Sequence, residues 1–204
     1  MNLPNLITLS RVPMLFVVVE LMFSRLQWTD TAAFILFVIG GVTDWLDGYL
    51  ARRYRQISNF GKLMDALTDK ILIVGLLVAM LVSMPGDSAS VLPNWAVFFV
   101  LVIMAREFLI TGLRLVAVSQ GVVLAAERSG KLKTILQFVS ISVLLLAKAL
   151  HTDFRCAGPT VQAWHVFGML LLIAATLLTA ISGFGYLVKY WGLFMGRPVT
   201  PDRP

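Results

Sequence analysis

Apolar residues in this chain gather into six long runs, each parted from the next by a short stretch rich in charge, Gly, Pro, Asp or Ser. Each run is close to the roughly 20 residues that a helix needs to cross a bilayer. Residues 4–10 (P-N-L-I-T-L-S) read as a short interfacial start, with Pro4 at the first helical position. A first span then continues from Val12 to Phe23, with a kink expected near Pro13. Further spans are expected at 31–50, 60–84, 93–118, 132–150 and 162–191. Between them lie the turn Q27-W-T-D-T, the basic loop R52-R-Y-R-Q-I-S-N and the Pro/Gly/Ser-rich loop M84-P-G-D-S-A-S-V-L-P-N. A polar loop, H151-T-D-F-R-C-A-G-P-T, precedes the last span. The expected fold is an all-α integral membrane protein of six transmembrane helices, one domain over 1–196, with a short tail at 197–204 that is expected to be disordered.

Composition agrees with that pattern. Apolar residues make up 58% of the 204 and charged residues only 14%, well beyond ordinary soluble domains. The first run has neither a basic start nor a small-residue cleavage site, so it is expected to remain in the mature protein. Cys156 is the only cysteine, which excludes an intrachain disulfide, and His151 and His165 are too isolated to hold a metal. The net charge of +6 does not point to nucleic acid, because the basic residues sort by side of the membrane. With the N-terminus inside and six alternating spans, 14 Lys and Arg fall inside and only Arg25, Lys148 and Arg155 outside. Both termini are therefore expected in the cytoplasm. Glu20, inside the first run, either snorkels toward the far interface or faces the bundle.

The chemistry concentrates between Asp44 and Asp69, as D44-W-L-D47-G48-Y-L-A51-R52, eight residues, then G61-K-L-M-D65-A-L-T-D69. On helices, Asp44 and Asp47 share a face as i, i+3, and Asp65 and Asp69 as i, i+4. Two such helices packed face to face would gather four carboxylates whose repulsion asks for a cation. Hard oxygen ligands without Cys or His point to magnesium, manganese or calcium. Acids at helical spacing more often form a solvated face, but the flanks here are F34-I-L-F-V-I and I71-L-I-V-G-L-L-V, where water is scarce. Gly48 and Gly61 let a ligand or a helix approach the backbone closely, or serve ordinary helix packing. Arg52 is either a topology residue or a cation on the anion whose metal the acids hold, and its place in the stretch favours the second.

The pattern D-x2-D-G-x2-A-R-x8-G-x3-D-x3-D, complete here, resembles the defining motif of the CDP-alcohol phosphatidyltransferases. The likeness covers essentially the whole chain, six spans with the motif across the second and third included. It implies that two divalent ions, Mg2+ or Mn2+, bind the diphosphate of a CDP-linked lipid, with Asp44, Asp47 and Asp65 as ligands. Asp69 would be both a ligand and the general base. Gly48, Arg52 and Ser58 map to positions near the cytidine diphosphate, and P4-N5-L-I-T8 resembles the family's N-terminal segment, which adds Asn5 and Thr8. Displacement at phosphorus is compatible with this set. Two metals neutralise charge on nucleophile and leaving group, and a nearby carboxylate takes the alcohol's proton.

A second constellation addresses the acceptor. In A105-R106-E107-F-L-I-T-G-L-R114 two arginines lie eight residues apart inside an apolar run, hence on roughly one helix face. An arginine in a span needs an anionic partner, and Glu107, adjacent in sequence, is expected to point elsewhere. A phosphate on the acceptor would serve, held bidentately by Arg and by Lys131 and Lys133 as point charges. Arg128, Lys131 and Lys133 are equally well read as anchors of a cytoplasmic loop. The stretches R-E-F-L-I-T-G-L-R and E-R-x-G-K-x-K-T-x-x-Q resemble the branch of the family whose acceptor is sn-glycerol 3-phosphate. That branch implies CDP-diacylglycerol as donor and a bacterial-type inner membrane, with the site toward the cytoplasm. Two cations facing the site disfavour serine but do not separate glycerol phosphate from inositol phosphate. A cation transporter is the rival of another class, although the acids cluster at one end and no internal repeat is visible. Trp28, Trp45, Trp95, Trp164 and Trp191 lie near span ends, as an aromatic belt would. T179-A-I-S-G-F-G reads as small-residue packing, a candidate homodimer contact.

Overall fold

Long apolar runs in a medium without water must satisfy their own backbone groups, and helices do so within one segment. In the computed structural model the structure describes residues 3–24, 26–54, 59–82, 91–119, 128–156 and 158–194; the side chains of 3–9, 44–54, 59–66, 119, 128–131 and 192–194 are not described. Among the described residues the regular structure is all helical, with no strand. The helices are α1 (Leu3–Phe23), α2 (Thr29–Tyr54), α3 (Asn59–Leu81), α4 (Val97–Ser119), α5 (Arg128–Thr152) and α6 (Pro159–Phe194), and a 3-10 turn, Asn94–Ala96, leads into α4. Among the described residues three stretches are long and apolar enough to cross a membrane, Asn94–Val118, Leu132–Thr152 and Pro159–Trp191, and Thr29–Thr43 is a shorter apolar helix.

Two differences from the sequence pattern stand out. The interfacial start and the first span are one helix, α1, with Pro13 inside it on an exposed position. The bond that Pro13 cannot make is therefore lost on the outer surface and not in the core. α6 has 36 residues, about 54 Å at 1.5 Å per residue, far more than a hydrocarbon core of roughly 30 Å. Its end must project beyond the bilayer.

α1 is the centre of the packing. α2 and α3 both lie along it, and over their described lengths neither packs extensively on the other. The face-to-face arrangement expected of α2 and α3 concerns their motif ends, whose side chains lie outside the described residues. The main core joins Leu15, Val18 and Met22 of α1 to Phe37 of α2, Leu76 and Leu77 of α3, and Leu144 and Leu145 of α5. Close approach is achieved where side chains are missing. A Cβ at Gly40 would strike Met14, one at Gly41 the ring of Phe138, and one at Gly75 would meet Leu15 at 2.7 Å. Phe138 stacks on Phe37 with ring centroids 4.7 Å apart, which fixes α5 against α2. α5 and α6 form a long antiparallel pair, and α4 lies on α6.

The end away from the motif is tied by polar contacts. Asp153, just past α5, accepts hydrogen bonds from the Trp28 amide (3.1 Å), the Thr31 amide (2.7 Å) and the Thr31 hydroxyl (2.7 Å), so it caps α2 from a distant part of the chain. Trp28 holds φ at 71° to make that turn, and its ring meets Phe154 edge-on at 5.2 Å. Buried Asp30 pairs with Lys148 at 2.9 Å and accepts from the Thr152 hydroxyl at 2.6 Å. Lys148, expected among the outer loop cations, is instead an internal ion-pair partner that also donates to the Met22 carbonyl. Glu20 is exposed, as are Trp28, Trp95, Trp164 and Trp191; the side chain of Trp45 lies outside the described residues.

Candidate active site

The motif falls on the ends of two helices. Asp44, Asp47, Gly48 and Arg52 lie on α2, and Asp65 and Asp69 on α3, so the expected i, i+3 and i, i+4 registers are met by helical backbone. The side chains of Asp44, Asp47, Arg52 and Asp65 lie outside the described residues, as do those of Asn5 and Thr8 on α1 and Lys131 on α5; Ser58 lies outside them altogether. Among the described residues no group of three or more His, Cys, Asp or Glu comes together. Asp69 is the one motif acid whose surroundings are described.

Asp69 is paired with Arg11 of α1. The arginine is 4% exposed and the carboxylate 41%, so a buried cation reaches outward to an accessible acid. α1 brings the arginine to α3 because the two helices pack along each other, with Leu15 of α1 seated against Gly75. One residue on, Lys70 is half-buried and donates to Thr111 Oγ1 of α4. Thr111 in turn donates to the Glu107 carbonyl at 2.6 Å.

Glu107, Thr111 and Arg114 succeed one another at i, i+4 and i+7 and so form one stripe of α4. Glu107 is buried and forms an ion pair with Lys133 of α5, itself 4% exposed. Arg106 Nη1 also reaches Glu107 Oε1, at 3.4 Å. The expectation that Glu107 would point away is corrected here, since a long guanidinium side chain can bend back across the helix surface to its neighbour. The stem of Arg106 lies against Gly183 of α6, where a Cβ would come within 2.5 Å of Arg106 Cγ. Arg114 Nε is 3.4 Å from the Tyr186 hydroxyl, and its guanidinium stands 5.6 Å from the centre of that ring. Gln137 of α5 donates to Thr179 of α6 at 3.2 Å. In the T179-A-I-S-G-F-G stretch Thr179, Ser182 and Gly183 are buried within the chain, where Gly183 makes room for Arg106, whereas Ala180 and Gly185 are exposed.

Among the described residues the balance of charge is lopsided. Arg11, Lys70, Arg106, Arg114 and Lys133 converge from α1, α3, α4 and α5, and the described carboxylates among them are Asp69 and Glu107. The charged groups facing Lys70 are Arg114, Arg106 and Asp69, and those facing Lys133 include Arg106 and Lys70. Positive charge in excess beside an apolar bundle is a place for an anion. Sequence reasoning singled out Arg106, Arg114 and Lys133 but missed Arg11, Lys70, Thr111 and Tyr186. The only available signal was the helical spacing of Glu107, Thr111 and Arg114, because Arg11 and Lys70 are indistinguishable by position from topology cations.

The model of the CDP-alcohol phosphatidyltransferase family matches residues 1–181. Over 202 residues the chain is 36% identical to a CDP-diacylglycerol--glycerol-3-phosphate 3-phosphatidyltransferase of Bacillus subtilis, covering 93% of this chain and 95% of that protein. A protein of the same name from Rickettsia typhi is 34% identical over 185 residues, 91% of this chain and 94% of its own. A probable phosphatidylglycerophosphate synthase of Mycobacterium tuberculosis is 34% identical over 191 residues, 92% and 81% of the two chains.

Proposed function

Because the chain belongs to the CDP-alcohol phosphatidyltransferase family, we propose that it transfers the phosphatidyl group of CDP-diacylglycerol to the 1-hydroxyl of sn-glycerol 3-phosphate, giving phosphatidylglycerophosphate and CMP. Family and relatives make it a membrane transferase of phospholipid biosynthesis. The observation that carries the choice of acceptor is the grouping of Arg106, Arg114 and Lys133, which suits a doubly charged phosphomonoester and not a neutral alcohol. The names of the relatives agree with that choice.

Asp69 is the proton acceptor for the attacking hydroxyl. Its accessible carboxylate at the motif end of α3, one residue from Lys70 and tied to Arg11, is suitably placed for that work. Arg11 holds the carboxylate in place from α1. Asp44, Asp47, Asp65 and Asp69 would hold two Mg2+ or Mn2+ ions, which when bound supply charge neutralisation on nucleophile and leaving group. The fit rests on the hard oxygen donors, their shared helix faces and the cationic partner that Asp69 already accepts. Gly48, Arg52 and Ser58, with Asn5 and Thr8, border the cytidine diphosphate, and Lys131 adds to the acceptor side. On this reading the chain has six spans, with both termini and the site toward the cytoplasmic face of a bacterial-type inner membrane, so that acyl chains would stay in lipid while CMP leaves to water.

CMP release by the purified protein with CDP-diacylglycerol and magnesium, each acceptor offered separately, tests this reading. Release with glycerol 3-phosphate alone is expected. Release with inositol phosphate instead would keep the family and move the acceptor; ion flux in proteoliposomes without lipid product would overturn the assignment.

A further inference from the structure

Lys70 follows Asp69 directly on α3, so the helix turns it roughly 100° away from that carboxylate. Its ammonium donates across to α4, to the hydroxyl of Thr111, which donates onward to the Glu107 carbonyl at 2.6 Å. The charged groups facing it are two guanidiniums, Arg114 and Arg106, and Asp69. Of the described carboxylates nearby, Asp69 is paired with Arg11 and Glu107 with Lys133. A lysine whose task was to neutralise Asp69 would reach to that acid. A residue whose task was to join α3 to α4 would be better neutral, since a glutamine can bond a hydroxyl without repelling two arginines. An ammonium anchored on a hydroxyl among like charges is completed by an anion.

The position selects which anion. Lys70 follows Asp69 on α3 and is bonded to Thr111, on the α4 stripe that also carries Arg114, which the proposed reading assigns to the acceptor's phosphate. Resting on the reading of the acceptor as a phosphomonoester, we propose that Lys70 is a specificity-determining residue that binds the acceptor phosphate from α3, opposite Arg106 and Arg114. It gives the pocket a wall on the helix that carries the base, so that phosphate binding also sets the reach of the acceptor hydroxyl toward Asp69. Thr111 is its anchor.

The test is the Michaelis constant of each substrate, measured on the full chain with CDP-diacylglycerol, magnesium and glycerol 3-phosphate. Inorganic phosphate serves as a competing probe. Lys70→Met is expected to raise KM for glycerol 3-phosphate about 10- to 100-fold, the loss of one charge-assisted hydrogen bond, and to weaken inhibition by phosphate in parallel. KM for CDP-diacylglycerol should stay as it was, and Lys70→Arg should restore most of the loss. Thr111→Val keeps the charge but frees it, and should raise the acceptor KM by less. An unchanged acceptor KM in both variants, or an equal rise for both substrates, overturns the role of Lys70. If Lys70→Met does not fold, Thr111→Val decides by the same two constants. A wild-type chain that uses no phosphorylated acceptor brings down the acceptor reading and this role together, whereas a wild type that uses glycerol 3-phosphate beside an unaffected Lys70→Met removes Lys70 alone.

Discussion

Asp69 shows how the sequence can single out one side chain while giving no sign of its partner. Its spacing from Asp65 within an apolar run marks it as chemical, but nothing in the order of residues says that Arg11, 58 positions earlier, will meet it. Asp69→Asn keeps the shape and removes the base, so turnover is expected to fall roughly 10²- to 10⁴-fold while CDP-diacylglycerol still binds. Single-turnover CMP formation together with lipid binding checks this; normal turnover would take the base role away from Asp69. Because the carboxylate is partly solvent-screened, the accompanying loss of stability should be about 1 kcal/mol or less. Arg106 and Arg114 were legible for a different reason. Guanidiniums in an apolar run are costly, so their presence alone is a signal. Lys70 and Arg11 sit near the ends of runs where cations are common, and there the same chemistry is silent.

At the scale of elements, the six helices were legible because each apolar run is long enough for a helix and is bounded by polar or turn-forming residues. The ends were less so. α2, α5 and α6 extend past their expected bounds, since helical hydrogen bonding continues into polar sequence wherever a cap or neighbour accepts it. The start of α2 is such a case, with Asp153 as a cap that no local pattern announces. Asp153→Ala removes three hydrogen bonds from that turn and should cost about 1–2 kcal/mol. In detergent this corresponds to a midpoint lower by roughly 2–8 °C, with kcat unchanged at temperatures where the protein stays folded. A variant as stable as the parent would show that the cap is incidental. The packing of α1 along both α2 and α3 was not legible either, because glycines at 40 and 75 identify tolerance for a close neighbour but not which neighbour comes.

At the scale of the molecule, the proposed orientation rests on an asymmetry of charge that one inspection of the sequence supplies. Its weight shifts slightly now that Lys148 is an internal partner and no longer a loop cation. Cys156, exposed in the loop between α5 and α6, offers a direct check as the sole thiol. A membrane-impermeant maleimide added to intact spheroplasts should label it without permeabilisation. Labelling only after the membrane is opened would invert the orientation and put the candidate site on the wrong side for CMP to reach the cytoplasm. The family assignment covers nearly the entire length, so the fold and the motif are inherited together.

The ties among Asp30, Lys148, Thr152, Asp153 and the turn at Trp28 bind α1, α2 and α5 at a single end. A bundle fastened there behaves as a lever whose fulcrum is remote from its load. Any small splay of the helices is nearly zero at the fastening and grows along their length toward the cationic pocket. On the proposed function, a lipid donor would then meet the widest travel at the end where its headgroup is to react.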